Sequence, residues 1–165
     1  MSTLAKLTDE EFLNLPDEPG KQELLDGELI ALPPADHDHA KLSYALFYLL
    51  GDMVGRARVA HEEGYHLKRG WLTPDVSVTW PDQKIDRWLT GAPMIAIEIV
   101  SRGNTADEIE GKIAAYLEEG AAEVWIIYLK RRIMRVFRKD SDLRVTDSYH
   151  CELIGVDIRL AGLLG

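Results

Sequence analysis

The chain has 165 residues with 46% hydrophobic and 28% charged residues, enough for one globular core of about 150 residues and too little for two. The net charge of −9 excludes a basic protein that coats nucleic acid by charge alone, although bound metal ions would supply local positive charge to an enzyme acting on it. No apolar run approaches a membrane span, no secretory signal opens the chain, and Cys151 is the one cysteine, which rules out an intrachain disulfide and a four-cysteine zinc site. The expectation is a cytoplasmic, single-domain protein over 1–165 with no membrane association.

Thr8 followed by Glu11 marks the cap of a short helix that ends before Pro16. Asp26-Gly27 between Lys21–Leu25 and Glu28–Leu32 predicts a tight hairpin. From Asp38 to about Gly55, Leu42, Ala45, Leu46, Leu49, Leu50 and Met53 recur at three and four, which predicts a helix with one buried stripe. Val59–Leu67 and Pro74–Trp80 read as strands, with Gly70 at a turn between them. The run Met94–Val100, apolar except for Glu98, suits a central strand covered on both faces. Thr105–Glu119 is a second helix, with Ile109, Ile113, Tyr116 and Leu117 as its buried stripe and Gly120 as its stop. Strands follow at Val124–Leu129 and Ile133–Arg138, with weaker ones at Leu143–Thr146 and Val156–Leu160. The sum is one α/β domain built on a mixed sheet flanked by helices.

Glu98 is the most informative residue. A carboxylate inside an apolar strand is costly unless a metal, a cation or a raised pKa compensates it. Asp75 shares one face of its strand with Ser77 and Thr79, and an Asp at the start of one strand can converge with a Glu inside the next. Two such carboxylates form a hard-oxygen site suited to Mg²⁺. Lys112 lies on the border of its helix's apolar stripe, so its stem can follow the core while its amine reaches a cleft. Its bland alternative is a surface pair with Glu108, itself placed to cap the helix with Thr105. His37-Asp38-His39 more often marks exposed or capping residues than a zinc site, and His39 can face a cleft from the helix start. Cys151 has the context of a buried structural thiol. Lys130, Arg131, Arg132, Arg135, Arg138 and Lys139 form a basic cluster that is either a charged, soluble hairpin or a contact for phosphates.

The segments Glu23–Leu29, His39, Pro74-Asp75-Val76, Ile97–Ser101, Lys112 with Tyr116 and Gly120, and Val124–Ile127, in that order and spacing, resemble the Uma-two family of restriction-endonuclease-like proteins. That family belongs to the PD-(D/E)XK nuclease superfamily, and the resemblance covers about residues 20–140. The superfamily places a lysine two residues after the Glu, where this chain has Val100; the Uma-two pattern supplies it from the following helix, here Lys112. Ser101-Arg102 stands where Ser-Pro is usual, and the acidic residue usual after the Val-Trp strand is replaced around Tyr128-Leu129. The resemblance implies a restriction endonuclease-like core and a Mg²⁺- or Mn²⁺-dependent endonuclease hydrolysing phosphodiester bonds of nucleic acid, with DNA expected. It implies Asp75, Glu98 and Lys112 as catalytic residues, Glu23 and His39 as supporting ones, and a metal held by Asp75, Glu98 and the Ile99 carbonyl. Lys130, Arg131, Arg132 and Arg135 would bind the nucleic acid, and the protein would be a homodimer. Two other functions compete: a non-catalytic module binding nucleic acid or another partner on the same fold, and a metal-free hydrolase using Asp75 and Glu98 as acid and base.

Overall fold

The computed structural model describes residues 5–165. Helix α1 (Asp9–Leu13) opens on a reciprocal cap, in which Thr8 Oγ1 accepts from the Glu11 amide and the Glu11 carboxylate accepts from the Thr8 amide. Strands β1 (Lys21–Leu25) and β2 (Glu28–Leu32) pair antiparallel across Asp26 and Gly27, whose φ values of 53° and 83° are those a two-residue hairpin turn demands. Helix α2 (His37–Val54) is capped by Asp36, which accepts from the His39 amide at 2.9 Å. Leu42, Leu46 and Leu50 form its buried stripe; Met53, which the same periodicity assigns to the core, is exposed.

A 3-10 turn at Arg56–Arg58 leads into a segment that corrects the sequence reading. Val59–Leu67 is not one strand. It divides into β3 (Val59–His61) and β4 (Tyr65–Leu67), because Glu62 adopts φ 51° and turns the chain out of one sheet and into another. Gly70 lies not in the turn but at the start of β5 (Gly70–Leu72). Then come β6 (Val76–Val78), two short strands missed in the sequence, β7 (Lys84–Ile85) and β8 (Leu89–Thr90), and the central β9 (Ile95–Ile99). Helix α3 (Ala106–Glu118) starts at a second capping box, Thr105 with Glu108, and crosses over to β10 (Glu123–Tyr128), parallel to β9. The chain closes with β11 (Ile133–Arg138), β12 (Ser141–Val145), β13 (Ser148–Cys151), β14 (Val156–Arg159) and α4 (Leu160–Leu164).

Two six-stranded sheets result, in the orders β2-β1-β5-β4-β8-β7 and β12-β11-β10-β9-β6-β3, with β13 and β14 pairing separately. The second sheet carries a core on each face. Ile95, Ile97 and Ile99 of β9 join Leu42, Leu46 and Leu50 of α2 on one side. Ala96, with Val124 opposite it on β10, and Ile126 face the other side, with Tyr116 of α3 and Leu25 and Tyr65 of the first sheet. Alternation along β9 therefore puts Glu98 on the α3 side, between the two sheets.

The seam through which β1 reaches that position depends on Gly70. It has φ 147°, pairs with Leu25, and a Cβ there would lie 2.0 Å from the Leu24 carbonyl oxygen. Gly70→Ala is expected to cost about 2 kcal/mol or more, because both the backbone conformation and the β1–β5 contact must give; urea denaturation measures it.

Candidate active site

The antiparallel pairing of β6 with β9 places Val76 opposite Ile97. One further step puts Asp75, just ahead of β6, beside Glu98, and residues so opposed send their side chains to one face. The Ile99 amide fixes the Asp75 carboxylate by donating to Oδ2 at 2.7 Å. Two further cationic or polar groups meet Oδ1: Lys21 Nζ at 3.1 Å and His39 Nε2 at 3.4 Å. Lys21 also donates to the Thr73 carbonyl at 2.8 Å and lies 3.9 Å from Glu98 Oε2, so its ammonium bridges the two carboxylates.

Glu98 is held from beneath by α3. Lys112 and Tyr116 lie one turn apart on the face turned to the sheet; the Tyr116 hydroxyl donates to Glu98 Oε1 at 3.0 Å, and Lys112 Nζ is 3.4 Å from both Glu98 oxygens. A third carboxylate, Glu23 of β1, completes the group. Its Oε1 accepts from the Thr73 amide at 2.8 Å, and its Oε2 is 2.5 Å from Lys112 Nζ, an ion pair without hydrogen-bond alignment.

The structure thus brings together Glu23, His39, Asp75, Glu98 and Lys112, with the Ile99 backbone alongside. It corrects the placement of Lys112. That residue is not at the border of the stripe but 2% exposed, at the centre of the buried face with Ala115 and Tyr116, while Ile109, Ile113 and Leu117 are half-buried. Its amine meets Glu98 from the core side, and Glu108 is occupied in the cap. The lysine on the open side, lining a cleft of about 510 Å³ with His39, Asp75 and Glu98, is Lys21. The sequence reading passed over Lys21; its signal is Lys21-Gln22-Glu23, two charges on the strand face that continues into buried Leu25. The helical stripe assigns Tyr116 to the apolar core, and its hydroxyl is the signal that periodicity does not weigh.

The titration properties follow from this packing. Burial pushes the Glu98 carboxyl up to about 7, against the pull of Lys112 and Lys21 and with the repulsion of Glu23 and Asp75. Burial would raise Asp75 too, but the His39 hydrogen bond, the Lys21 charge and the Ile99 amide overcome it and hold that carboxyl well below the usual range. Burial works against charge on Lys21 and Lys112, yet the surrounding carboxylates keep both more firmly protonated than in water. His39 is likewise drawn toward its charged form by Asp75, despite burial.

The basic cluster divides. Lys130, Arg131 and Arg132 stand exposed at the β10–β11 turn, where they line a groove of about 700 Å³ with Lys41 and Arg102. Asp36 and Asp38 border the same groove, and Ser101 belongs both to it and to the Asp75–Glu98 cleft. Arg135 does not line it; this side chain pairs with Asp142 and lies over the Phe137 ring. Arg138 is engaged by Glu123 and Tyr149. His37 is exposed at the first turn of α2.

Residues 9–155 match Uma2, a family described as "Putative restriction endonuclease". The chain belongs to the Uma2 family. A comparison with curated proteins gives no match. Among solved structures, the chain is similar to the crystal structure of a "putative nuclease belonging to DUF820" from Anabaena variabilis, at a TM-score of 0.84 and 19% identity over 96% of this chain and 97% of that one. The family resemblance and the mixed α/β fold read from the sequence are both borne out, and the family is a nuclease-like one. Among the described residues no helix is long and apolar enough to cross a membrane.

The opposite shifts of the two paired carboxyls have opposite consequences. The folded state raises Glu98, so the stability tied to its proton is full below about pH 4.5 and is lost as pH rises through about 7. It lowers Asp75, whose contribution is present above about pH 3.8 and is lost only in stronger acid. In metal-free buffer at about pH 8, Glu98→Gln is expected to melt above the wild type, the gain fading toward about pH 5. Asp75→Asn is expected to melt below it at both pH values, by about 3 kcal/mol, because Lys21 loses its partner. Thermal melts across pH measure both.

Proposed function

We propose that the protein is a divalent-metal-dependent nuclease that hydrolyses phosphodiester bonds of nucleic acid, with DNA as the expected substrate. One observation carries the reading. Asp75 Oδ1 and Glu98 Oε2 both converge on a single cation, the Lys21 ammonium, at 3.1 and 3.9 Å. Among the described residues no cluster of three or more His, Cys, Asp or Glu stands at metal-binding spacing. The donor set is instead a pair of carboxylates, and Mg²⁺ is commonly held by one or two carboxylates, with water and substrate oxygens completing its shell. Asp75, Glu98 and the Ile99 carbonyl would hold the metal. When bound, it would make a water molecule a better nucleophile and offset charge on the phosphate oxygens.

The chain's own residues have separate tasks in this reading. The Ile99 amide and His39 orient the Asp75 carboxylate. Tyr116 occupies Glu98 Oε1 and leaves Oε2 turned toward Lys21. Lys112, between Glu23 and Glu98, lowers the mutual repulsion of the carboxylates from the core side. Lys21, on the cleft side, is the ammonium placed to meet a phosphate oxygen. The basic turn Lys130–Arg132 would carry the backbone toward the cleft. A homodimer belongs to the same proposal on the family resemblance alone.

The second reading, a binding module without catalysis, is favoured by one fact: the Lys21 ammonium stands at the point between the two carboxylates that a metal would take. Metal titration separates the two. The nuclease reading expects plasmid and oligonucleotide cleavage that appears with Mg²⁺ or Mn²⁺ and stops with chelator. Asp75→Ala should fall by more than about 100-fold, and His39→Ala by about 10–100-fold. Oligonucleotide binding with no cleavage at any metal concentration would establish the module instead.

A further inference from the structure

Tyr44 of α2 and His61 of β3 line the cleft with their rings. Tyr44 and, one turn further along α2 and outside the cleft lining, Tyr48 are 51% and 57% exposed. Neither lies in the core, yet the Tyr44 ring is not loose. The His61 imidazole stacks on it, with centroids 4.5 Å apart and planes within 17°. His61 is itself fixed by Ser43 Oγ, 2.7 Å from Nε2, and by the edge-on ring of Phe47 at 5.6 Å. Tyr44 is thus a half-exposed ring on a rigid backing, so little freedom is lost when a flat ligand settles on it.

The platform belongs to the Asp75–Glu98 cleft. His61 pairs in register with Val76, the neighbour of Asp75, and the Glu62 amide donates to the Asp75 carbonyl at 3.1 Å. Tyr44 and His61 line the same 510 Å³ cavity as Asp75, Glu98 and Lys21. The first turns of α2 separate this cavity from the basic groove, with Lys41 on the groove side and His39 and Tyr44 on the cleft side.

We propose that Tyr44, backed by His61, is a stacking platform for an unpaired nucleobase of the strand whose phosphate enters the cleft. A flat π-surface beside a cationic phosphate position matches the two parts of a nucleotide: charge meets the backbone and the ring meets the base. The base must be unpaired, because a base inside a duplex already has both faces stacked. The substrate class is therefore single-stranded or locally splayed nucleic acid, read without sequence preference at this position. The inference rests on the nuclease reading and deepens it.

The test is equilibrium binding with Ca²⁺ in place of Mg²⁺, using a short labelled single strand and a base-free strand with the same backbone. Tyr44→Ala is expected to weaken binding of the normal strand by about tenfold. It should leave the base-free strand nearly unchanged, and Tyr44→Trp should restore the normal strand. Tyr44 is outside the core, so the variants should melt with the wild type. Equal affinity of Tyr44→Ala and wild type for the normal strand would overturn the platform, as would an equal loss on both strands. A change from dimer to monomer in sedimentation would also overturn it and assign the rings to a second copy. Wild-type protein that binds neither strand yet cleaves plasmid with Mg²⁺ would remove the platform alone, as would each of the other adverse results, whereas absence of both strand binding and metal-dependent plasmid cleavage would bring down the nuclease reading with it.

Discussion

Glu23, Asp75 and Glu98 are buried within ion-pair reach of Lys21 and Lys112. Three carboxyl groups meet two ammonium groups and the His39 imidazole in a poorly solvated place. Charge buried in this way is tolerated only where partners are held in position, because removal of a cation strands the carboxylates it pairs. Much of the surrounding architecture answers that requirement. β9 and β6 bring Asp75 beside Glu98, β1 brings Lys21 and Glu23 from the other sheet, α3 brings Lys112 and Tyr116, and the first turn of α2 brings His39.

A second buried carboxylate shows what a purely structural solution looks like in the same protein. Glu123 accepts from Trp125 Nε1 at 2.7 Å, Arg138 Nε at 3.0 Å and the Tyr149 hydroxyl at 2.6 Å, with Cys151 Sγ at 3.6 Å. Both of its oxygens are satisfied by neutral or charged donors, and the network ties β10 and β11 to the β13–β14 hairpin. Burial and Glu123 push the Cys151 thiol up to about 11, which makes it an inert core group rather than a nucleophile. Glu98 is different. It accepts from Tyr116 at 3.0 Å and, at a long 3.4 Å, from Lys112 on both oxygens, while Lys21 stands 3.9 Å from Oε2 on the side of the open cleft. Its long contacts and its raised carboxyl pKa sit where a ligand can reach them. Buried titratable groups perturbed in this way beside a cleft are characteristic of sites that trade stability for chemistry.

Parts of this were written in local sequence. Asp26-Gly27 specified the hairpin, because a two-residue turn needs positive φ at both positions and these residues accept it. Thr8 with Glu11 and Thr105 with Glu108 specified two helix starts, because a cap is satisfied within four residues. Glu98 declared itself because a lone carboxylate in an apolar strand has no local explanation. The break at Glu62 and the short strands β7 and β8 were not legible, since none of them carries an alternating run long enough to distinguish strand from loop.

Sequence alone therefore determined the mixed α/β class, the central strand and the two carboxylates that meet at the cleft, all of which rest on period, turn chemistry and the cost of burying charge. The tertiary structure decided which lysine faces the cleft. Lys112 stood out in sequence because it follows Glu98 on the next helix, but the packing of α3 turns it into the core. Lys21 sits far from both carboxylates in sequence and carries only the weak mark of two charges on one strand face. It becomes the bridging cation because two sheets meet at β1 and β9, a contact between segments distant along the chain that no local pattern encodes. The same holds for Tyr44. Its helix was evident, but the imidazole that backs its ring arrives from β3, across the fold.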